Sequence, residues 1–84
     1  MGTYGQDIQS AIAVQIKAEM AAKGWKQAEL AKRAGINTST LHRYLAGDRD
    51  IPLPVFVGIS DALGLSYIEL AGRAQRRLDG ENVQ

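Results

Sequence analysis

The chain has no cysteine, two prolines, one phenylalanine and one tryptophan in 84 residues. Without cysteine there is no disulfide, no thiolate nucleophile and no cysteine–zinc site, and a small secreted domain held by cross-links is excluded. The single histidine cannot build a metal site alone, and no second ligand stands at a suitable spacing. No apolar run approaches the roughly 20 residues that span a bilayer. The opening Met1-Gly2-Thr3-Tyr4-Gly5 has no basic or apolar segment and does not read as a signal peptide. Gln6 stands where a myristoylation signal has Ser or Thr. A cytoplasmic location is the expectation. Glycines occur only singly, so no phosphate-cradling glycine loop is present. An excess of one charge is missing too: ten Lys and Arg face nine Asp and Glu, for a net charge of +1.

What is present is ordinary globular composition, 45% apolar and 23% charged. The length makes one small domain, with no room for a substrate domain beside a cofactor domain. Basic charge is mildly concentrated mid-chain. Lys26, Lys32, Arg33, Arg43 and Arg49 outnumber Glu29, Asp48 and Asp50, and Arg73, Arg76 and Arg77 form a second group.

The pattern is all-α, with short helices separated by glycine and no convincing strand. Residues 1–6 read as a loose arm. Asp7 is a plausible N-cap, followed by Ile8, Ile12, Ile16 and Met20 at i+4 spacing, and Lys23-Gly24 closes the helix. A second helix is expected from Gln27 to Ala34, ended by Gly35. Asn37 caps a third, about Thr38 to Leu45, closed by Gly47. Pro54 suits the first turn of a fourth, with Val55, Ile59, Ala62 and Leu63 as its stripe and Gly64 as its stop. Ser66-Tyr67-Ile68-Glu69 is a capping box opening a fifth helix that reaches Leu78, and residues 79–84 are a polar tail. The domain is therefore 7–78.

The informative stretch is 24–47. Two helices of about two turns meet across Gly35-Ile36-Asn37. Small residues on one (Ala31, Ala34) face larger ones on the other (Leu41, Tyr44, Leu45), which lets them cross closely at a steep angle. Leu41, Tyr44 and Leu45 then point inward, leaving Thr38, Ser39, His42 and Arg43 outward with Asn37 at the entrance. This face has no acidic and no large apolar residue. Its side chains offer hydrogen-bond donors, and a donor-rich, protruding helix fits a DNA major groove. Arg43 can pair with guanine O6 and N7 through two parallel bonds.

Gly24-Trp25-Lys26-Gln27-Ala28-Glu29-Leu30-Ala31-Lys32-Arg33-Ala34-Gly35-Ile36-Asn37 resembles the helix-turn-helix of the Cro/C1-type (XRE, lambda-repressor-like) family. Thr38 to Gly47 resembles its recognition helix and glycine exit, and Pro52 to Leu65 its fourth helix with the Ala62-Leu63-Gly64 ending. The likeness covers about residues 12–70 and implies a compact five-helix fold with the helix-turn-helix at about 27–45. It implies that Gln27 anchors a phosphate and braces the recognition helix, that Thr38, Ser39 and Arg43 face bases, and that Asn37 and Arg49 meet phosphates. Two positions depart from the family pattern. Lys26 replaces a Ser or Thr cap, which removes a side-chain acceptor and offers a phosphate contact instead. Met20 stands where many relatives have arginine.

Each position also has a plainer reading. Arg43 alone reads as a solvated arginine, but convergence with Thr38 and Ser39 favours base readout. For His42, base contact and an ordinary surface histidine are equally supported. Trp25 and Tyr44 read as core or core-edge residues. Lys32 and Arg33 read as a solvated face. Arg73, Arg76 and Arg77 read as a solvated helix end favoured by the helix dipole, with a phosphate contact as the alternative if the fifth helix is directed at DNA.

The function expected is a sequence-specific double-stranded-DNA-binding regulator, a repressor that occupies an operator. The size resembles the phage or plasmid end of the family. The competing expectation is an antitoxin or adaptor whose main partner is a protein, met through Ile68, Leu70 and Ala71 on the fifth helix. The same stripe would serve a homodimer on a two-fold operator. No cofactor, metal, membrane or small-molecule ligand is expected, and no nucleophile–base pair suggests an enzyme.

Overall fold

The computed structural model describes residues 3–82 and, among these, five helices and no strand. They are α1 (Thr3–Lys23), α2 (Gln27–Ala34), α3 (Thr38–Ala46), α4 (Leu53–Ala62) and α5 (Tyr67–Asn82). The fold is thus the all-α, five-helix architecture expected. No single helix among the described residues is long and apolar enough to cross a membrane.

The core follows from helical spacing. α1 buries Ile12, Ile16 and Met20 on one stripe, flanked by Ala11 and Ala13. Opposite them lie Leu70, Ala74 and Leu78 of α5, because α1 and α5 pack along one another. Leu30 and Ala31 of α2 meet Leu41, Tyr44 and Leu45 of α3, and Ile59 and Leu63 close the core from the α4 side. Full burial of a Leu or Ile side chain is worth about 1.5–3 kcal/mol, so these residues dominate the stability of a short chain. Phe56 was not part of the expected α4 stripe, yet it is buried there. Ser60 is fully buried and costs little, since its hydroxyl donates to the Phe56 carbonyl at 2.8 Å.

Helix ends use the chemistry read from the sequence. Gly35 (φ 71°) and Gly47 (φ 84°) take the left-handed conformation that closes α2 and α3. After Gly35, the Ile36 N–H returns to the Ala31 carbonyl at 3.0 Å while its side chain packs against the core. Asn37 caps α3 by accepting from the Ser39 N–H at 2.9 Å. Lys26 makes no side-chain cap, as its chemistry requires, and the first-turn Glu29 favours the same helix end through the dipole.

Two boundaries and one cap differ from expectation. α1 begins at Thr3, so Asp7 is not its cap and residues 3–6 are helix rather than a loose arm; residues 1–2 lie outside those described. The second turn is held by tertiary contacts: Ile8 packs on the core and Gln9 bonds to the backbone of Ile51. α5 continues past Leu78 to Asn82, so residues 79–82 are helix rather than tail, and 83–84 lie outside those described. Buried Leu78 and the Gln75 Nε2–Asp79 Oδ1 bond of 2.8 Å carry the helix onward. Only half of the capping box forms. Ser66 Oγ accepts from the Glu69 N–H at 3.0 Å, but the Glu69 carboxylate turns to Arg73.

Arg73 ties the long helices together. It bonds Glu19 of α1 at 2.6 Å and Glu69 at 3.0 Å, while Arg77 Nε donates to Gln15 Oε1 at 3.1 Å. Met20 sits in the core in place of the family's arginine, and this α1–α5 pair supplies an ion pair at the neighbouring position. Burial of the Glu19 carboxylate opposes its ionisation. Hydrogen bonds from Arg73 and Gln15, with the Arg73 and Lys23 charges, outweigh that and hold its pKa below the ordinary value. A lowered carboxylate pKa stabilises the fold above the unfolded-state value, and the contribution disappears as pH falls through the folded one.

Two outcomes follow. Glu19→Gln should melt a few degrees below wild type at neutral pH, and the gap should close as pH drops below about 4.3; a gap unchanged by acid would contradict the linkage. Asn37→Ala should lose about 0.5–2 kcal/mol in urea unfolding through the missing α3 cap.

Candidate nucleic-acid interface

The α2–α3 corner sets the direction of every candidate residue. Leu41, Tyr44 and Leu45 are at most 5% exposed. Since they occupy one side of a nine-residue helix, positions 38, 39, 42 and 43 must share the other. Thr38, Ser39, His42 and Arg43 are all exposed, as is Asn37 at the helix entrance. The outward face inferred from spacing is therefore the face observed. None of its residues is acidic.

The polar groups around α3 are already arranged in the free protein. The Asn37 Oδ1 accepts both the Ser39 N–H at 2.9 Å and the Ser39 hydroxyl at 2.6 Å. Ser39 therefore spends its proton on Asn37 and presents lone pairs outward, while the Asn37 amide NH₂ remains a donor. Gln27 opens α2 half-buried, with its Oε1 3.3 Å from His42 Nδ1. In the Nδ1–H tautomer His42 donates this bond, which braces α3 against α2 and leaves the Gln27 NH₂ as a donor. Gln27 and His42 thus meet across the α2–α3 corner. His42 was legible as an exposed histidine but not as the partner of Gln27.

Other cations divide into committed and free groups. Arg33 bonds Glu29 and lies with its Cζ 4.4 Å from the centre of the Trp25 ring, where Lys23 Nζ also stands at 5.2 Å. Trp25 is accordingly a half-buried core-edge residue with cations on its ring. Arg73 and Arg77 are engaged with α1. Lys26 and Arg43 are exposed without an ion pair among the described residues, and exposed Arg49 rests its Cζ 5.8 Å from the Tyr44 ring centre. Among the described residues, Lys26, Arg43 and Arg49 thus form no ion pair with a carboxylate.

On α5 the expected contact stripe needs correction. Ile68 is 69% exposed and Ala71 is half-buried, but Leu70 is fully buried in the core and cannot meet a partner. Tyr67 (43% exposed) joins Ile68 on the surface instead. Leu70 and Ile68 differ by two helical positions, about 200° apart, so they cannot share one face. Gln9 was missed altogether. It lies at the spacing of Ala13, Ile16 and Met20 on the buried side of α1, and a polar residue in such a stripe signals a specific partner.

The family model described as helix-turn-helix matches residues 16–70. Among solved structures, the clp gene regulator ClgR from Corynebacterium glutamicum is similar with a TM-score of 0.81 at 19% identity, over 89% of this chain and 80% of that one. A second ClgR crystal structure gives 0.75 at 20% identity, over 83% and 91%. The hypothetical transcription factor NHTF from Neisseria gives 0.77 at 27% identity, over 89% and 86%. No curated protein matches the sequence. With the match spanning well over half its length, the chain belongs to the Cro/C1-type (XRE) helix-turn-helix family and is a DNA-binding transcriptional regulator rather than an enzyme.

Proposed function

We propose that the chain is a sequence-specific repressor that occupies an operator with α3 in the major groove. The observation that carries this reading is the exposure of Thr38, Ser39, His42 and Arg43 together on one side of a helix whose other side is locked in the core. Arg43 reads guanine through its paired N–H groups. Ser39, its proton given to Asn37, accepts from the exocyclic amine of adenine or cytosine. Thr38 contributes its hydroxyl and a methyl that packs on thymine. His42 borders the bases while holding Gln27.

Phosphates are held by the Gln27 and Asn37 amides, the Lys26 ammonium and the Arg49 guanidinium. These groups fix register and carry no sequence information. The near-neutral net charge of +1 limits long-range attraction, so affinity rests on these local contacts. A role in the cytoplasm, where such a regulator meets its DNA, fits this reading.

Exposed Ile68 and Tyr67, with Ala71 beside them, support a protein contact on α5. A second copy of the chain there would present two α3 helices to a two-fold site. An antitoxin or adaptor role would use the same surface for a different protein.

Selection of bound fragments from random DNA, then sequencing, tests the reading by reporting site length, symmetry and preference. Arg43→Ala should lose about 1–3 kcal/mol of discrimination at one base position and keep weak, salt-sensitive binding; an unchanged selected site would reject Arg43 as a reader. Gln27→Ala should weaken binding evenly across sequences, whereas an effect confined to one base position would count against a phosphate role. Ile68→Lys should shift the DNA-bound protein from dimer to monomer by light scattering, and an unaltered mass would remove α5 as the dimer face.

A further inference from the structure

The segment between α3 and α4 carries Arg49 and is sparsely held. The Asp48 N–H closes α3 by donating to the Arg43 carbonyl at 2.9 Å. From there to the start of α4, the backbone is hydrogen-bonded at Ile51 and at the Pro52 carbonyl, which accepts from the Phe56 N–H at 2.9 Å. The Ile51 N–H donates to Gln9 Oε1 at 2.8 Å, and the Ile51 carbonyl accepts from Gln9 Nε2 at 3.4 Å. One amide on α1 thus satisfies both backbone polar groups of a residue 42 positions away, as a neighbouring strand would. The Ile51 side chain, 6% exposed, is fixed in the core at the same point.

Little else supports this segment. A groove of about 320 Å³ opens between Gln6, Gln9 and Ser10 on α1 and Tyr44, Gly47 and Arg49 on the other side. Arg49 bridges part of it by resting over Tyr44. Arg49 and Asp50 are exposed. The direction of the chain at Arg49 is therefore set by two anchors, the Gly47 turn before it and the Gln9–Ile51 clamp after it.

We infer that Gln9 is a positioning residue for DNA binding: through the Ile51 backbone it holds the segment that presents Arg49 to a phosphate. This rests on the reading of Arg49 as a phosphate contact. It makes the first turns of α1 part of the binding machinery without touching DNA. Without the clamp, both Ile51 groups turn to water and the segment must be ordered anew each time it binds.

The test compares wild type, Gln9→Met, Arg49→Ala and the double variant. Met keeps the length and helical character of Gln but has no amide; Gln9→Ala serves as a second variant should Met disturb packing. Amide exchange in the free protein should lose protection at Ile51 in Gln9→Met and keep it at Leu30 and Leu41. Affinity for a selected duplex over a salt series should then show Arg49→Ala flattening the log–log slope by about 0.9. Gln9→Met should reproduce most of that flattening, and the double variant should bind no more weakly than Arg49→Ala alone. An unchanged Ile51 amide, a Gln9→Met slope equal to wild type, or losses that add in the double variant would each overturn the role of Gln9. If Arg49→Ala itself leaves the slope unchanged, the phosphate reading fails, and the positioning role falls with it.

Discussion

Simultaneous burial of Leu41, Tyr44 and Leu45 is the constraint on which the proposed function depends. A helix of nine residues has only two broad sides. Once one is committed to α2, with its Leu30 and Ala31, and to α1, the other has no direction left but outward. The left-handed turn at Gly35 and the Asn37 cap fix where that helix starts. α1, α4 and α5 then act as a scaffold that keeps the corner from relaxing. The Glu19–Arg73 pair and the α1–α5 packing belong to that scaffold rather than to the interface.

Around the corner, polar side chains are arranged before any ligand arrives. Asn37 binds Ser39, Gln27 meets His42, and Gln9 holds Ile51. Each bond reduces the ordering that binding would otherwise require. Each also decides which proton or lone pair faces outward, so Ser39 offers an acceptor and Asn37 a donor. The chain's charge is nearly balanced, and among the described residues Lys26, Arg43 and Arg49 form no ion pair.

Much of this was legible in the sequence because it depends on local chemistry. Glycine stops at 35 and 47, the Asn37 cap and the i, i+3, i+4 stripe at 41, 44 and 45 each have a short-range cause. What was misread depends on contacts between distant segments. Asp7 has the chemistry of a helix start, yet α1 begins at Thr3, and the bond from Gln9 to the distant Ile51 backbone is not visible locally. Leu70 was grouped with Ile68 and Ala71 by proximity along the chain, although helical geometry puts it against α1. Glu69 was assigned to a cap, and the competing partner Arg73 won because it sits one turn away and already faces Glu19. Gln9 carried a signal, a polar residue in an apolar stripe, whose meaning needed the Ile51 backbone to be in place.

Methylation interference on a selected duplex probes the groove entered by α3 most directly. If the Thr38–Arg43 face lies in the major groove, a methyl on guanine N7 within the site should block binding, while one on adenine N3 in the minor groove should not. Binding indifferent to N7 methylation, or blocked only from the minor groove, would contradict insertion of α3.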